Sequence, residues 1–282
     1  MNLREGKKIE IIRKAANKKL AGSTLGIDAK NIYHENHQET KDLSVKGEIE
    51  KVFEDNPAYG ARRLAIELKY NHKRMSRVMR KYGLKPPRLW YTKKYLTKAN
   101  LEYKDQFSNL IKNIVNPKVN EIWSSDLTYV RHNSKFIYVC AIKDICTKEV
   151  VAVGISDKHD SDLVLNTIKT GILKQKTKPF IFHYDRGTEF LNEKCISFLI
   201  ANGIKISVSD PGSPWQNGHI ESFWSRFKCE NGDLRRFEDL GELVEYIYQW
   251  VNYYNNERIV TKLRMSPVKF KQKLLNQDNY RI

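Results

Sequence analysis

Three carboxylates of this chain lie in segments whose residues suit phosphate chemistry. Asp126 sits inside the alternating stretch WSSDLTYV, and Asp185 follows an apolar run in HYDRGTEF. Glu221 lies one turn into a basic amphipathic segment, GSPWQNGHIESFWSRFK. Carboxylates gathered without cations repel one another and raise one another's pKa values. A divalent ion relieves that repulsion. A site with a few hard oxygen ligands, and positions left for water and phosphate, has the ligand pattern of Mg2+. Two such ions about 4 Å apart activate an attacking oxygen and stabilise a leaving one in phosphodiester chemistry. With 33 acidic residues in the chain, spacing alone does not single these three out. The elements that carry them have to be considered too.

From about residue 118 the pattern alternates between strands and helices. EIWSSDLTYV, KFIYVCAIKDI and EVVAVGISD, rich in Val, Ile and aromatics, are predicted strands, and their short connections make them antiparallel. SDLVLNTIKTGILKQ reads as a helix with Leu163, Ile168 and Ile172 on one face. KPFIFHY is a strand, NEKCISFLIANG a helix stopped by Gly203, KISVS a strand, and a further helix begins near Asn217. Strands that alternate with helices are expected to add in parallel. Strand ends and helix starts in such sheets converge on one edge, where sites form. That edge is the expected meeting place of Asp126, Asp185 and Glu221. Asp144 ends a strand in a less specific context. Glu189 and Asp210 fall in turn or loop sequence and rank below Glu221. Trp123, Phe223 and Trp224 are read as core residues. So is the stripe Leu240, Leu243, Val244, Ile247, Val251 and Tyr254 in the tail.

The N-terminal third is built differently. KKIEIIRKAANKKL places Ile9, Ile12, Ala16 and Leu20 at helical spacing, and AGSTLGIDAKN is expected to break that helix. The polar stretch YHENHQETKDL reads as linker. HENH, from His34 to His37, lacks the cysteine half of a zinc site and reads as two exposed histidines. GEIEKVFEDNP, YGARRLAIELKY and NHKRMSRVMRKYGL give three short helices. Pro57 ends the first and Gly83 stops the last. Met75, Val78, Met79 and Tyr82 form the apolar face of the third, and Leu64, Ile66 and Leu68 that of the second. The third helix carries Lys73, Arg74, Arg77, Arg80 and Lys81 on its other face, with no acid among them. Residues 46–104 hold 16 Lys and Arg against 6 Asp and Glu. Such a cluster is the electrostatic footprint of phosphate binding. A helix-turn-helix, with residues 72–82 as its reading helix, is the expected architecture. Arg62 and Arg63 on the preceding helix are further candidates for DNA contact. KPPRLWYTKKYLTKAN reads as a stiff basic linker.

The chain as a whole has 282 residues and a net charge of +17, which attracts polyanions. No apolar run approaches the roughly 18 residues of a membrane span, and MNLREGKKIEIIRK has no signal-peptide core. Cys140, Cys146, Cys195 and Cys229 form no C-x-x-C pair, so neither zinc nor a redox dithiol is indicated. Reduced thiols suit a cytosolic protein.

These segments together resemble one family. WSSDLTYV, HYDRGTEF and GSPWQNGHIESFWSRFK are similar to the three acid-bearing motifs of DDE transposases and retroviral-type integrases. The 35 residues between Asp185 and Glu221 match that family's characteristic gap. The tail YIYQWVNYYNNERIVTKLRMSPVKF resembles the closing segment of insertion-sequence-three transposases, the product of their second reading frame. NPAYGARRLAIELKYNHKRMSRVMRKYGL resembles their helix-turn-helix segment. The chain departs from the family at Tyr184, where serine is common, and at Gly218, where alanine is common. The resemblance implies an α/β fold: an RNase H-like mixed sheet flanked by helices, preceded by a small all-α helix-turn-helix module. It divides the chain into an N-terminal helix and linker (1–45), the helix-turn-helix (46–85), a basic linker (86–117), the catalytic core (118–231) and a C-terminal helical extension (232–282).

The resemblance also implies a function. Asp126, Asp185 and Glu221 are expected to hold Mg2+ or Mn2+, two ions, for strand cleavage at the ends of an insertion sequence and for strand transfer. Lys228, two helical turns after Glu221, is expected to hold a phosphate near the metals. Gln216 and Asn217 suit close contact with a DNA backbone, and Arg186 suits a phosphate or an ion pair. Expected partners are terminal inverted repeats, target DNA, further copies of the chain on DNA, and an upstream-frame protein fused by frameshifting. Membranes are not expected partners, and the expected location is the bacterial cytoplasm, associated with the nucleoid. The alternatives are an RNase H-like nuclease without strand transfer and a catalytically inactive DNA-binding regulator of the element.

Overall fold

The computed structural model of the chain describes residues 5–27, 37–87 and 106–279. Its centre is a five-stranded mixed sheet. Strand β1 (Ile122–His132) turns through Asn133, whose φ of 51° suits a tight hairpin, into β2 (Lys135–Asp144). Strand β3 (Val150–Ser156) follows, antiparallel to β2. At the β2–β3 turn the buried Asp144 carboxylate accepts from the Thr147 amide at 3.0 Å and its hydroxyl at 2.6 Å. That side chain therefore serves the turn and not the acid site. Helix α6 (Ser161–Gln175) then leads to β4 (Ile181–Tyr184), and α7 (Glu193–Ala201) leads to β5 (Lys205–Val208). Both of these strands add in parallel, giving the order β3-β2-β1-β4-β5, as the alternation of strands and helices required. This is the RNase H-like arrangement.

Alternation along β2 assigns the two faces of the sheet. Cys140 and Ile142 join Trp123, Phe182 and the apolar sides of α6 and α7 in one core. Gly171 lets α6 lie against Trp123, since an added Cβ would stand 3.2 Å from the indole. On the other face, Val139 and Ala141 meet Ile220, Phe223, Trp224 and Phe227 of α8 (Gly218–Glu230). They also meet Leu243, Ile247, Trp250 and Tyr254 of α9 (Leu240–Asn256). Burying a ring such as Phe223, 1% exposed, contributes about 1.5–3 kcal/mol. Leu240 of the predicted tail stripe stays outside, 41% exposed, at the start of α9. Helix α10 (Pro267–Asn279) closes the described chain. Tyr184, at the position where serine is common in the family, fills the core by stacking on Phe190, with ring centroids 5.2 Å apart.

The N-terminal elements differ from the sequence expectation in two places. The first helix is split into α1 (Glu5–Lys14) and α2 (Lys18–Leu25), because the Asn17 side chain caps the second at the Leu20 amide. AGSTL is thus helical, the stop comes at Gly26 with φ 68°, and Leu20 is 64% exposed. Helix α3 (His37–Asp55) begins inside the stretch read as linker, so the boundary at 45/46 falls within a helix. Its first turns are polar because their partners are the cations of α5 (His72–Lys81). With α4 (Ala61–Glu67) these helices enclose Val45, Ile49, Tyr59, Leu64, Met75, Val78 and Met79, and Ile66 and Leu68 are only partly buried.

This module is fastened to the sheet domain. Ile259 joins its core, and the Ile259 amide donates to the Tyr59 hydroxyl at 2.9 Å. Tyr253 donates to Asn56 at 2.6 Å. At the C-terminal end of α8, Glu230 accepts from Arg63 at 3.1 Å and from Arg258 at 2.5 and 2.7 Å, all three side chains being largely buried. Residues 88–105, most of the predicted basic linker, lie outside the described residues. Where the chain resumes, Ser108 and Leu110 run along β5. The Val208 amide donates to the Ser108 carbonyl at 3.2 Å, and the Leu110 amide to the Ser207 hydroxyl at 2.9 Å, which covers the edge strand.

Candidate active site at the sheet edge

The register of the two central strands brings the first two acids level. β1 and β4 are parallel with Ser124 beside His183, so Asp126 and Asp185 each lie two residues further along adjacent lines of chain. Each carboxylate is oriented by backbone: Asp126 Oδ1 accepts from the Leu127 amide at 2.8 Å and Asp185 Oδ1 from the Gly187 amide at 3.0 Å. Glu221 stands in the first turn of α8. The segment before that helix is tied to β1 by Asn217, whose amide donates to the Ser125 carbonyl at 3.1 Å, next door to Asp126. All three acids are half-buried.

Their electrostatics are those of like charges held together. Burial pushes the Asp126 carboxyl well above the usual carboxylate range, and Asp185, Glu221 and Glu189 push it further against the opposing Leu127 amide. Burial also pushes Asp185 up to about 6, with Glu189 and Glu221 adding to it and the Gly187 amide opposing. Glu189 is the group that sequence reasoning undervalued. It is 7% exposed, and its carboxylate packs so closely over Gly187 that an added Cβ there would lie 2.6 Å from Oε1. His159 Nε2 stands 3.5 Å from the same oxygen. The only sequence signal for Glu189 was its place four residues after Asp185. Nothing in a turn pattern says that a side chain folds inward. The donor set at this edge is hard oxygen carrying excess negative charge, which fits a divalent cation such as Mg2+ or Mn2+. Among the described residues, no three His, Cys, Asp or Glu side chains are already drawn together at metal-holding distance.

The residues assigned to DNA contact separate into two groups. Arg62, Lys73 and Arg80 are exposed, and the half-buried Arg74 lies 4.6 Å over the Tyr70 ring. Lys73, Arg74 and Arg77, with Lys41, Gln38 and Asn71, line an open basic cleft of about 510 Å³ between α3 and α5. The other residues make contacts within the protein. Arg77 binds Asp42 through both terminal nitrogens at 2.5 Å, and Lys81 reaches Glu39 at 2.5 Å and Asp42 at 3.2 Å. Arg77 holds the Asp42 carboxyl far below its ordinary range. Arg63 belongs to Glu230, its side chain 12% exposed. Arg186, 7% exposed, donates to the Ser209 carbonyl at 3.0 Å, and Asn217 is 2% exposed. Gln216 bridges Asp210 and Asn109 at 2.7 Å. Lys228 is half-buried, 5.2 Å over the Tyr129 ring. Sequence alone could not show the acids of α3 and α8 that meet these arginines and lysines from distant parts of the chain.

Comparison with known proteins agrees with this construction. Integrase core domain families match residues 116–214 and, in a second form, residues 202–267, which together span every strand and all three acids. An uncharacterized transposase-like protein of Haemophilus influenzae is 28% identical over 220 residues, 76% of this chain and 99% of that protein. The putative transposase InsK for insertion sequence element IS150 of Escherichia coli is 25% identical over 82% of this chain and 84% of its own length. The transposase for insertion sequence element IS904 of Lactococcus lactis is 26% identical over 75% of this chain and 86% of its own. Among solved structures, the HTLV-2 integrase catalytic core domain in complex with magnesium (trimeric form) aligns at 19% identity with a TM-score of 0.40. That alignment covers 55% of this chain and 97% of that one.

A mixed sheet with acids at its edge and an integrase core domain defines a DDE-type polynucleotidyl transferase, and the chain belongs to the transposase and integrase family that carries this core. Within that family it is a DNA transposase of the insertion-sequence kind, in agreement with the insertion-sequence-three motifs in its sequence.

Proposed function

We propose that Asp126, Asp185 and Glu221 are the catalytic, metal-holding acids of this transposase and that it acts with Mg2+ or Mn2+, two ions, at the ends of its insertion sequence. The observation that carries this reading is the set of half-buried carboxyls at the sheet edge, where burial and the neighbouring acids together raise Asp126 and Asp185. Bound divalent ions would supply Lewis-acid stabilisation of the attacking and leaving oxygens. The chain's own part is to hold the acids in place. The Leu127 and Gly187 amides each fix one carboxylate oxygen, leaving the other to turn outward. Water attacks the phosphorus at the element's end, and the bridging 3′-oxygen leaves as a 3′-hydroxyl. That hydroxyl then attacks a second phosphodiester, whose own 3′-oxygen is displaced, so one bond forms for each that breaks.

The substrates on this reading are terminal inverted repeats and target DNA, approached by the exposed cations Arg62, Lys73 and Arg80 and the half-buried Arg74. Joining two ends requires more than one copy of the chain on DNA, and an upstream-frame protein fused by frameshifting would add further end recognition. The test is end cleavage of a terminal-repeat duplex with Mn2+. Asp126→Asn, Asp185→Asn and Glu221→Gln are each expected to lose about a thousandfold in rate, the several kcal/mol a metal site supplies, while gel-shift binding persists. Wild-type cleavage by any of the three removes that residue from the triad.

A further inference from the structure

We infer that Lys143 is a positioning residue for strand cleavage: it holds the first turn of α8 against β2 and thereby sets where Glu221 stands. Lys143 lies on β2, on the face that α8 covers, and is 3% exposed. Its Nζ donates to the His219 carbonyl at 3.0 Å, in the same helical turn as Glu221. The ammonium lies 5.7 Å over the Phe223 ring and 5.6 Å over the Tyr254 ring. Among the described residues no carboxylate forms an ion pair with it. Burial, with Lys148, Arg258 and Lys262 as charged neighbours, pushes its pKa down to about 7.

A buried ammonium without a carboxylate is costly. The neighbouring positions on this face of β2 are Val139 and Ala141, and an apolar side chain at 143 would pack α8 without that penalty. A costly group retained in a packed interface points to a role other than stability. The geometry supplies one. Lys143 pairs with Ser124 of β1, two residues before Asp126. Asn217 ties the residue preceding α8 to Ser125 of the same strand at 3.1 Å. The helix start is thus pinned to both strands beside the first acid, once through a side chain of β2 and once through a carbonyl of β1. Lys148, whose Nζ lies 3.3 Å from His219 Nδ1, braces the same turn from the β2–β3 connection. A helix that slid or rolled by an ångström here would carry Glu221 away from Asp126 and Asp185.

The inference rests on the reading of Glu221 as the third acid, so Lys143→Met is measured beside Glu221→Gln in the full chain. The Met variant is expected to fold with a Tm equal to or above wild type and to shift terminal-repeat DNA normally. Its kcat for Mn2+-dependent end cleavage is expected to fall about ten- to hundredfold, the scale of a 1 Å misplacement, with KM for DNA unchanged. Mn2+ binding to the protein alone, read by electron paramagnetic resonance, is expected to weaken several-fold. Lys143→Gln, which keeps a donor for the His219 carbonyl, is expected to recover part of the rate. Lys143→Leu replaces the Met variant if that protein does not fold, and failure of both to fold makes Lys143 a residue of the fold alone and overturns the inference. Wild-type kcat and Mn2+ binding in the apolar variant also overturn it, as does a Gln variant no better than Met. Activity in Glu221→Gln would instead strike down the triad reading, whatever Lys143 does.

Discussion

In the helical module, Asp42 has no exposed surface, yet its charge is met at hydrogen-bond distance by Arg77 and Lys81 reaching across from α5. At the sheet edge, Asp126 is half-buried beside Asp185, Glu189 and Glu221, and burial together with those like charges drives its carboxyl in the opposite direction. Asp42 is held far below the ordinary carboxylate range and Asp126 well above it. The module and the α8 terminus use opposite charges to fix helices to one another. The sheet edge keeps like charges together, an arrangement that a bound cation would relieve. Opposite charges held together inside the fold report on architecture, and like charges held together report on a ligand.

The comparison can be broken first where matching is tightest. Glu230 is the shared acceptor of Arg63 and Arg258, with side chains 10%, 12% and 3% exposed. Removing it leaves two buried guanidiniums facing each other. Glu230→Ala is expected to cost about 3–5 kcal/mol, the range for breaking a buried pair, read as a lower urea midpoint. Because Arg63 belongs to the module and Arg258 to the sheet domain, the loss should also separate one unfolding transition into two. A variant with the wild-type midpoint would show that the triad is as weak as a surface pair.

The like-charged end answers to pH and metal. A carboxyl whose folded value is raised contributes stability that is fully present below the unfolded value, about 4, and lost as pH rises through the folded value, about 6 for Asp185. The metal-free protein is therefore expected to lose stability from this source between about pH 4 and pH 6. Divalent cations require the ionised form and reverse the loss. Saturating Mn2+ is expected to raise Tm by about 5 °C at pH 7.5 and by less than about 1 °C at pH 4.5. Differential scanning calorimetry checks this, and an equal shift at both values would mean that the cation binds elsewhere. Asp185→Asn should raise the metal-free Tm at pH 7.5 and abolish most of the Mn2+ effect.

Much of the sheet domain was legible in the sequence because its signals are local. Alternation in WSSDLTYV and KFIYVCAIKDI, the short hairpin at Asn133 and the helix stop at Gly203 each act within a few residues, and the direction of the strands follows from the lengths of their connections. The three proposed acids were singled out through motifs and a gap, and register places two of them level. What sequence could not give was pairing between distant segments. The cations of α5 read as a bare basic face because Glu39 and Asp42 lie more than thirty residues upstream, in what looked like linker. Lys143 sits in an apolar strand with nothing local to mark it as buried under the helix of Glu221. Glu189 looked like loop sequence until the chain folded it over Gly187.

The smallest expected effect sharpens the comparison most, because it separates cations of one helix by their partners alone. Lys73 and Lys81 lie on the same ten-residue helix, carry the same charge and would read alike in sequence. Lys81 is held by Glu39 and Asp42, and Lys73 is an exposed wall of the basic cleft. A lysine that neutralises a phosphate releases a counterion, and a lysine already paired with a carboxylate releases little. Lys73→Ala is expected to lower affinity for terminal-repeat DNA a few-fold and to reduce the slope of log affinity against log salt by about 1. Lys81→Ala is expected to leave that slope unchanged and to lower Tm instead, since it removes a partner of a fully buried carboxylate. Fluorescence anisotropy across a salt series measures the first, and thermal melts measure the second. Equal slopes for the two variants would mean that DNA displaces the acids of α3 from α5. The matched charges of the module would then be a latch opened by the substrate and no longer a fixed part of its architecture.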